Sequence, residues 1–248
     1  MDDRLFAARE NLIETYWRLG LTVGDLTNHQ QTPFRLLTSP RPLSVANMAL
    51  DFQDRDPALV QAHLVELRKV AARYPSFRVL SCDGDPVDLV QFAPTVGMEV
   101  ENRLHLLTAA SSCQSGLVLS EATEENDRVR IAEFMVDQFP HRRNPSLREL
   151  IVRANSQAKH RLFFQGVAAH PQAALMLSET PNGVGLYNLC VTPKLRGQGL
   201  GSQLFGWAEK WARERTKPLV LQSFPQLLPF YERQGCVVVG EFRALRLR

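Results

Sequence analysis

Over residues 2–19, Leu5, Leu12, Ile13, Tyr16 and Trp17 recur at helical spacing, predicting an amphipathic helix closed by Gly20 and Gly24. A polar stretch holding Pro33, Pro40 and Pro42 follows, then a predicted strand at 44–52 (SVANMALDF). A second helix is predicted at 57–73, with Leu59, Val60, His63, Leu64, Leu67 and Val70 on one face, then short strands near 77–81 and 100–108. Beyond that point the pattern sharpens. It predicts a strand at 116–120, a helix near 122–138, a loop at 138–146 and a helix at 147–157 with Ser146 as N-cap. Strands at 160–166, 171–178 and 184–192 come next, the last two joined by a turn at Pro181-Asn182-Gly183. A glycine loop, a helix at 199–215, a strand at 218–222, a short helix near 226–234 and strands at 237–239 and 241–247 complete the pattern. Antiparallel strands followed by strand–helix–strand units make this an α/β layer protein.

The length of 248 residues gives a prior between one and two domains. No apolar run approaches the 18 residues of a membrane span, and MDDRLFAARE lacks the basic and apolar regions of a secretory signal, so a cytoplasmic protein without membrane attachment is expected. Residues 1–110 hold 11 basic and 14 acidic residues and the rest 18 and 12. That basic excess is modest and unclustered, so a phosphorylated small molecule is the expected anionic partner, and nucleic acid is not. Cys82, Cys113, Cys190 and Cys236 form no C-x-x-C pair, and the histidines have no ligand spacing, so free thiols and no metal are expected. Nothing in the sequence speaks to oligomeric state.

The chemistry concentrates in YNLCVTPKLRGQGLGSQL, residues 187–204. Gly197, Gly199 and Gly201 sit where a strand meets a helix, so the backbone can turn tightly and approach a ligand without Cβ interference. The first helical amides have no intrahelical acceptor and lie at the positive end of the helix dipole, which suits a phosphate or pyrophosphate. A Walker A loop is excluded because no Lys follows these glycines. A dinucleotide fingerprint fails because its sixth position is Ser202 or Leu204. The pattern that fits is Arg-x-x-Gly-x-Gly, with Arg196, Gly199 and Gly201.

On three linked motifs the chain resembles the GNAT superfamily of acyl-CoA-dependent N-acetyltransferases over about residues 115–248. These are Leu189-Cys190-Val191 ending a strand, RGQGLGSQL opening a helix, and LPFYERQGC at 228–236. The resemblance implies a GNAT fold, a mixed and mostly antiparallel central sheet flanked by helices, in residues 111–248. Residues 1–110 look like a second, degenerate GNAT-like half that lacks the glycine motif and holds no coenzyme.

By the same resemblance, acetyl-CoA is the cosubstrate and an amine the acceptor, attacking directly in a ternary complex. The expected cofactor-binding residues are Leu189, Cys190, Val191, Arg196, Gly197, Gln198, Gly199, Leu200, Gly201, Ser202 and Ser223. Tyr231 matches the general acid that protonates the departing thiolate. Arg196 equally fits a loop-bracing role.

Two departures stand out. Phe224 replaces an Asn that contacts the coenzyme in many relatives, with Gln222 or Ser223 as substitutes. Gly185 replaces a glutamate base. Glu121 and Glu179 are the remaining base candidates, each more simply a solvated carboxylate. His141, Arg142 and Arg143 form the acceptor-side loop. These departures leave a non-catalytic acyl-CoA-binding module as the alternative function.

Overall fold

The computed structural model describes residues 2–23, 27–31, 33–110, 115–139 and 144–248. The first half contains helix α1 (Asp3–Leu21), strands β1 (Thr27–Gln31), β2 (Phe34–Thr38) and β3 (Met48–Leu50), helix α2 (Pro57–Arg73), and strands β4 (Arg78–Cys82) and β5 (Met98–Ala109). The second half contains β6 (Ser120–Glu121), α3 (Glu125–Asp137), α4 (Pro145–Gln157), β7 (Arg161–Val167), β8 (His170–Glu179) and β9 (Val184–Val191). It continues through α5 (Leu200–Arg213), β10 (Leu219–Ser223), α6 (Leu228–Arg233) and β11 (Cys236–Leu247).

Several elements differ from the sequence expectation. The proline-bearing polar stretch holds the antiparallel β1–β2 pair, and the strand expected at 44–52 narrows to β3 after a 3₁₀ turn at Ser44–Ala46. The expected strand 116–120 is reduced to the two residues of β6. Asn144, not Ser146, caps α4: its Oδ1 accepts from the Leu147 amide at 3.1 Å, because Pro145 already occupies the first helical turn. The two closing strands are one, β11, with a bulge between Val238 and Gly240.

All eleven strands form one sheet, in the order β1-β2-β3-β4-β11-β5-β10-β9-β8-β7-β6. Each half repeats one motif: an antiparallel meander, then a helical crossover to a parallel partner. In the first half this is β3–α2–β4, in the second β9–α5–β10. The two last strands are exchanged. β5 follows β4 in the chain yet pairs with β10, and β11 follows β10 yet pairs with β4. They meet each other at the centre in an antiparallel ladder running from Cys236–Ala109 to Leu247–Met98.

Three helices cover the centre of the sheet. On one face α5 buries Leu204, Phe205, Ala208 and Trp211 against Leu107, Leu175, Leu186 and Leu221. Helix α2 does the same for the first half, with Val60, Leu64 and Leu67 against Val79 and Leu245. On the other face α1 spans both halves, its Leu12, Ile13 and Trp17 in one cluster with Leu80, Leu106, Val220 and Phe242. Each fully buried Leu or Phe contributes about 1.5–3 kcal/mol, so burial under α1 is a main force joining the halves.

Beside α1, α3 and α4 bring in a buried histidine. His160 is 2 % exposed, and neither ring nitrogen has a hydrogen-bond partner among the described residues. Burial, then the nearby Arg18 and Arg128 charges, lower its pKa to about 4. The folded value lies below the unfolded ~6.5, so stability is complete above pH 6.5 and is lost as pH falls toward 4. The expected loss is on the order of 3 kcal/mol across that window. Urea unfolding at pH 7.5, 6 and 5 should show it, and His160→Leu should flatten it. Equal acid sensitivity in that variant would assign the loss elsewhere.

Candidate functional site

The site begins where two parallel strands part. β9 and β10 pair only through Val184–Leu219, Gly185–Val220 and Leu186–Leu221. From Tyr187 onward β9 has no partner on that side, and Gln222 and Ser223 pair only with Leu106 and His105 of β5. A bulge aims the free stretch: between the β8 pairs Met176–Tyr187 and Ala174–Cys190, Asn188 and Leu189 together oppose Leu175. Asn188 sits in the left-handed region at φ 51°, which Asn tolerates, and its Nδ2 donates to Asn155 Oδ1 of α4 at 2.8 Å. Leu189 and Val191 pack with the α5 cluster, whereas Cys190 faces the opposite side.

At the end of β9 the chain turns through Pro193–Leu195 into the glycine loop. Gly197 and Gly199 have φ of 76° and 81°, a conformation that favours glycine. A Cβ at either position would meet no protein atom within 4 Å, so the bend opens onto free space. Gly199 caps α5 without any side-chain hydrogen bond, and the first amide back in the ladder is Gln203, donating to Gly199 O at 3.1 Å. Among the described residues nothing accepts from the amides of Gly197, Gln198, Gly199, Leu200, Gly201 or Ser202. Six such donors at a helix N-terminus form a ready anion cradle.

The corresponding turn of the first half, between β3 and α2, is closed to an anion. Asp51 occupies the left-handed region at φ 63°, and the Asp56 carboxylate caps α2 by accepting from the Ala58 amide at 2.9 Å. Pro57 removes a further N–H, and Phe52 and Phe77 are buried in the core there. A phosphate at this turn would meet a carboxylate.

The remaining singled-out residues divide by face. Tyr231 on α6 packs beside the α5 cluster, with ring centroids 6.1 Å from Phe205 and 5.0 Å from Phe230. Phe230 in turn lies next to the start of α5, 3.7 Å from where a Cβ on Gly201 would be. Burial, then the Cys236 thiol, push the Tyr231 phenol up to about 12, so it keeps its proton at neutral pH. No hydrogen bond to a described residue engages its hydroxyl.

Arg196 serves as a brace. Its Nε donates to Val191 O at 3.0 Å and its Nη2 to Gln138 Oε1 at 3.2 Å, tying the loop to β9 and to the end of α3. Ser223 is 2 % exposed, and its Oγ donates to Phe224 O at 3.1 Å. Gln222 points the other way, its Nε2 donating to the Tyr16 hydroxyl at 2.8 Å.

Gly185 is glycine for a packing reason. A Cβ there would collide with Asn11 of α1 and with the Tyr187 ring, so the first half occupies the space of any side chain at this position. Glu179 is paired with Lys217 Nζ at 2.8 Å, a hydrogen bond that lowers its pKa, and Glu121 lies 3.4 Å from Arg161. Cys82, Cys190 and Cys236 are buried, and burial raises Cys190 to about 12, which makes it a poor nucleophile. His141, Arg142, Arg143 and Cys113 lie outside the described residues. Among the described residues no group of side chains could hold a metal, and no helix is long and apolar enough to cross a membrane.

The sequence pattern did not single out Asn11 or the Tyr16–Gln222 pair as site features. Such pairings join residues from the two ends of the chain, and only Asn188, a left-handed-tolerant residue inside an apolar strand, carried a local signal.

Residues 166–244 match the family described as acetyltransferase (GNAT) domain. No curated protein matches the sequence. A GCN5-related N-acetyltransferase from Kribbella flavida shares the fold with a TM-score of 0.66 at 15% identity, covering 96% of this chain and 94% of that one. A protein of the GNAT family from Novosphingobium aromaticivorans gives 0.59 at 15% identity, covering 89% and 91%. A tandem GNAT protein from the clavulanic acid biosynthesis pathway gives 0.54 at 12% identity, covering 86% and 77%. At these identities the likeness is one of fold.

Proposed function

We propose, for a chain that carries a GNAT acetyltransferase domain within a GNAT fold, that it moves an acetyl group from acetyl-CoA to a primary amine. Acyl-CoA is the general cosubstrate of this family. The observation that carries the reading is the open bend at Gly197–Ser202 with its unengaged amides, placed directly at the outlet of the parted strands. Those amides would hold the pyrophosphate. The β10-facing side of β9 at Leu189–Val191, which has no strand partner and whose Val191 carbonyl is held by Arg196, would receive the pantetheine arm as an added strand. An amide there directed at the thioester carbonyl would stabilise the negative charge that develops as the amine attacks. The amine bonds to the carbonyl carbon as the carbon–sulfur bond breaks, and Tyr231 would donate a hydrogen bond to the leaving sulfur. In this assignment Arg196 stiffens the loop and does not itself carry phosphate.

Thermal unfolding with acetyl-CoA tests the reading. At one hundred times the dissociation constant, linkage adds about 2.7 kcal/mol, or roughly 5–11 °C for a chain of this size. Gly199→Val should abolish that shift, because a branched side chain strains the left-handed backbone and fills the open bend. Free thiol released with a panel of amines then separates an enzyme from a protein that only binds the coenzyme. A flat thermal response from folded protein would sink the assignment.

A further inference from the structure

The face of the parted strands turned away from α5 carries a second constellation, and its meaning rests on the acetyl-transfer reading above. Gln222 is the first residue of β10 without a β9 partner, and Tyr187 is the first of β9 without a β10 partner. Both are tied to the same helix of the first half. Gln222 Nε2 donates to Tyr16 Oη at 2.8 Å, and Tyr187 Oη donates to Asn11 Oδ1 at 3.0 Å. Asn11 is itself anchored, its Nδ2 donating to Ser178 O at 2.8 Å. Tyr16 is held by stacking on Phe242, with centroids 5.8 Å apart. Helix α1 thus laces both lips of the opening. One polar atom is left over: Gln222 Oε1 is buried with no hydrogen-bond partner among the described residues. A buried amide oxygen without a protein donor can accept from a ligand N–H.

The surroundings are neutral. The titratable groups clustered on this face are Tyr16 from α1, Tyr187 and Cys190 from β9, and Cys82 from β4; His160 and Arg18 lie on the Thr15 flank of α1, and the paired Arg9 and Asp85 bear on Cys82. Burial raises all four of the clustered groups, Tyr16 to about 12. The charges bearing on the two phenols are that of Cys82 on both and that of Tyr16 on Tyr187, with no carboxylate among them. From α4 comes Asn155, from β8 Ser178, and from β5 and β11 apolar side chains such as Leu104, Leu106, Phe242 and Ala244. An ammonium ion entering here would lose its water and gain no counter-charge.

We propose that Gln222, held in place by Tyr16, is the positioning residue for the acceptor nitrogen, and that the site takes an amine with a sizeable neutral fraction near pH 7, an α-amino group rather than a lysine side chain. The reaction then balances without a protein base. Nitrogen bonds to the carbonyl carbon, the carbon–sulfur bond breaks, and the proton that nitrogen loses is the one the CoA sulfur gains. An α-amino group with pKa near 8 offers on the order of a few hundredfold more free amine at pH 7 than a lysine near 10.4.

The test uses the full chain, acetyl-CoA and two probes, alaninamide and Nα-acetyllysinamide. At pH 7, kcat/KM should favour alaninamide by at least about tenfold, the lysine's greater nucleophilicity offsetting part of its protonation. Gln222→Leu should raise the KM for alaninamide about tenfold while acetyl-CoA affinity stays within about twofold. Tyr16→Phe, which leaves β10 untouched, should move KM in the same direction by a smaller factor. Gln222→Glu supplies the missing counter-charge and should narrow the preference against the lysine probe, a change that a purely structural role would not produce. Equal or reversed probe preference, an unchanged KM in Gln222→Leu, or inert alaninamide with acetyl-CoA still bound each overturn the proposal. Absence of any acetyl-CoA thermal shift would instead defeat the transfer reading, and this inference with it.

Discussion

Tyr231→Phe should lower turnover about a hundredfold, the low end of the 10²–10⁴ range for a group acting in acid–base catalysis. The low end follows from the environment. A phenol raised to about 12 is a reluctant acid, so under the proposed reaction it would act on the leaving thiolate by hydrogen-bond donation as charge builds. The phenylalanine ring keeps the contacts with Phe205 and Phe230, so fold stability and acetyl-CoA affinity should change little. Stopped assays of thiol release with parallel binding measurements separate the two effects. Turnover equal to the parent would reduce Tyr231 to a packing residue.

Cutting the chain between residues 110 and 111 should leave neither piece folded, and co-expressing the pieces should restore the sheet. The reason is the exchange of β5 and β11. In a 1–110 fragment, β4 loses its β11 neighbour and β5 loses both of its partners. Leu107 loses its α5 cover, and Val79, Leu80 and Leu106 keep α2 and α1 above them but lose neighbours such as Leu245, Phe242 and Val220. A fully buried Leu or Phe is worth about 1.5–3 kcal/mol and an ordinary domain is stable by only about 5–15 kcal/mol, so losing these contacts together with the ladder bonds on both sides of β5 leaves little margin. Circular dichroism and urea unfolding of each fragment provide the check. A cooperative transition in either one alone would show that the exchanged strand is dispensable to it.

That exchange marks the limit of what the sequence discloses. Where the signal is local, sequence and structure agree closely. Helix α2 has the expected bounds, Asn182-Gly183 joins β8 to β9, and the glycines open α5 as their positions imply. Where a partner decides, the pattern misleads. β1 (TNHQQ) carries no apolar alternation because it is an edge strand, and β11 reads as two strands because Gly240 interrupts a ladder completed by β5. No periodicity tells a strand which half of the molecule it will join.

The candidate site shows the same division. The loop and Tyr231 were legible as motifs. The roles of Gly185 and Gln222 were not, because α1, more than 170 residues earlier in the chain, determines what each can be. Arg196 illustrates a third case, in which the motif is present but the guanidinium is engaged by Val191 and Gln138.

The order of strands also sets a clock on biosynthesis. Strand β4 leaves the ribosome with one side bare, and the segment that will cover it is made roughly 150 residues later, or about 8–30 s at ordinary elongation rates of ~5–20 residues per second. Throughout that interval the nascent chain carries an unsatisfied β edge, the kind of surface that recruits stray strands from other chains. Slow translation of the second half, or shortage of a chaperone able to shield that edge, should therefore depress the yield of native protein more than equivalent delays in the first.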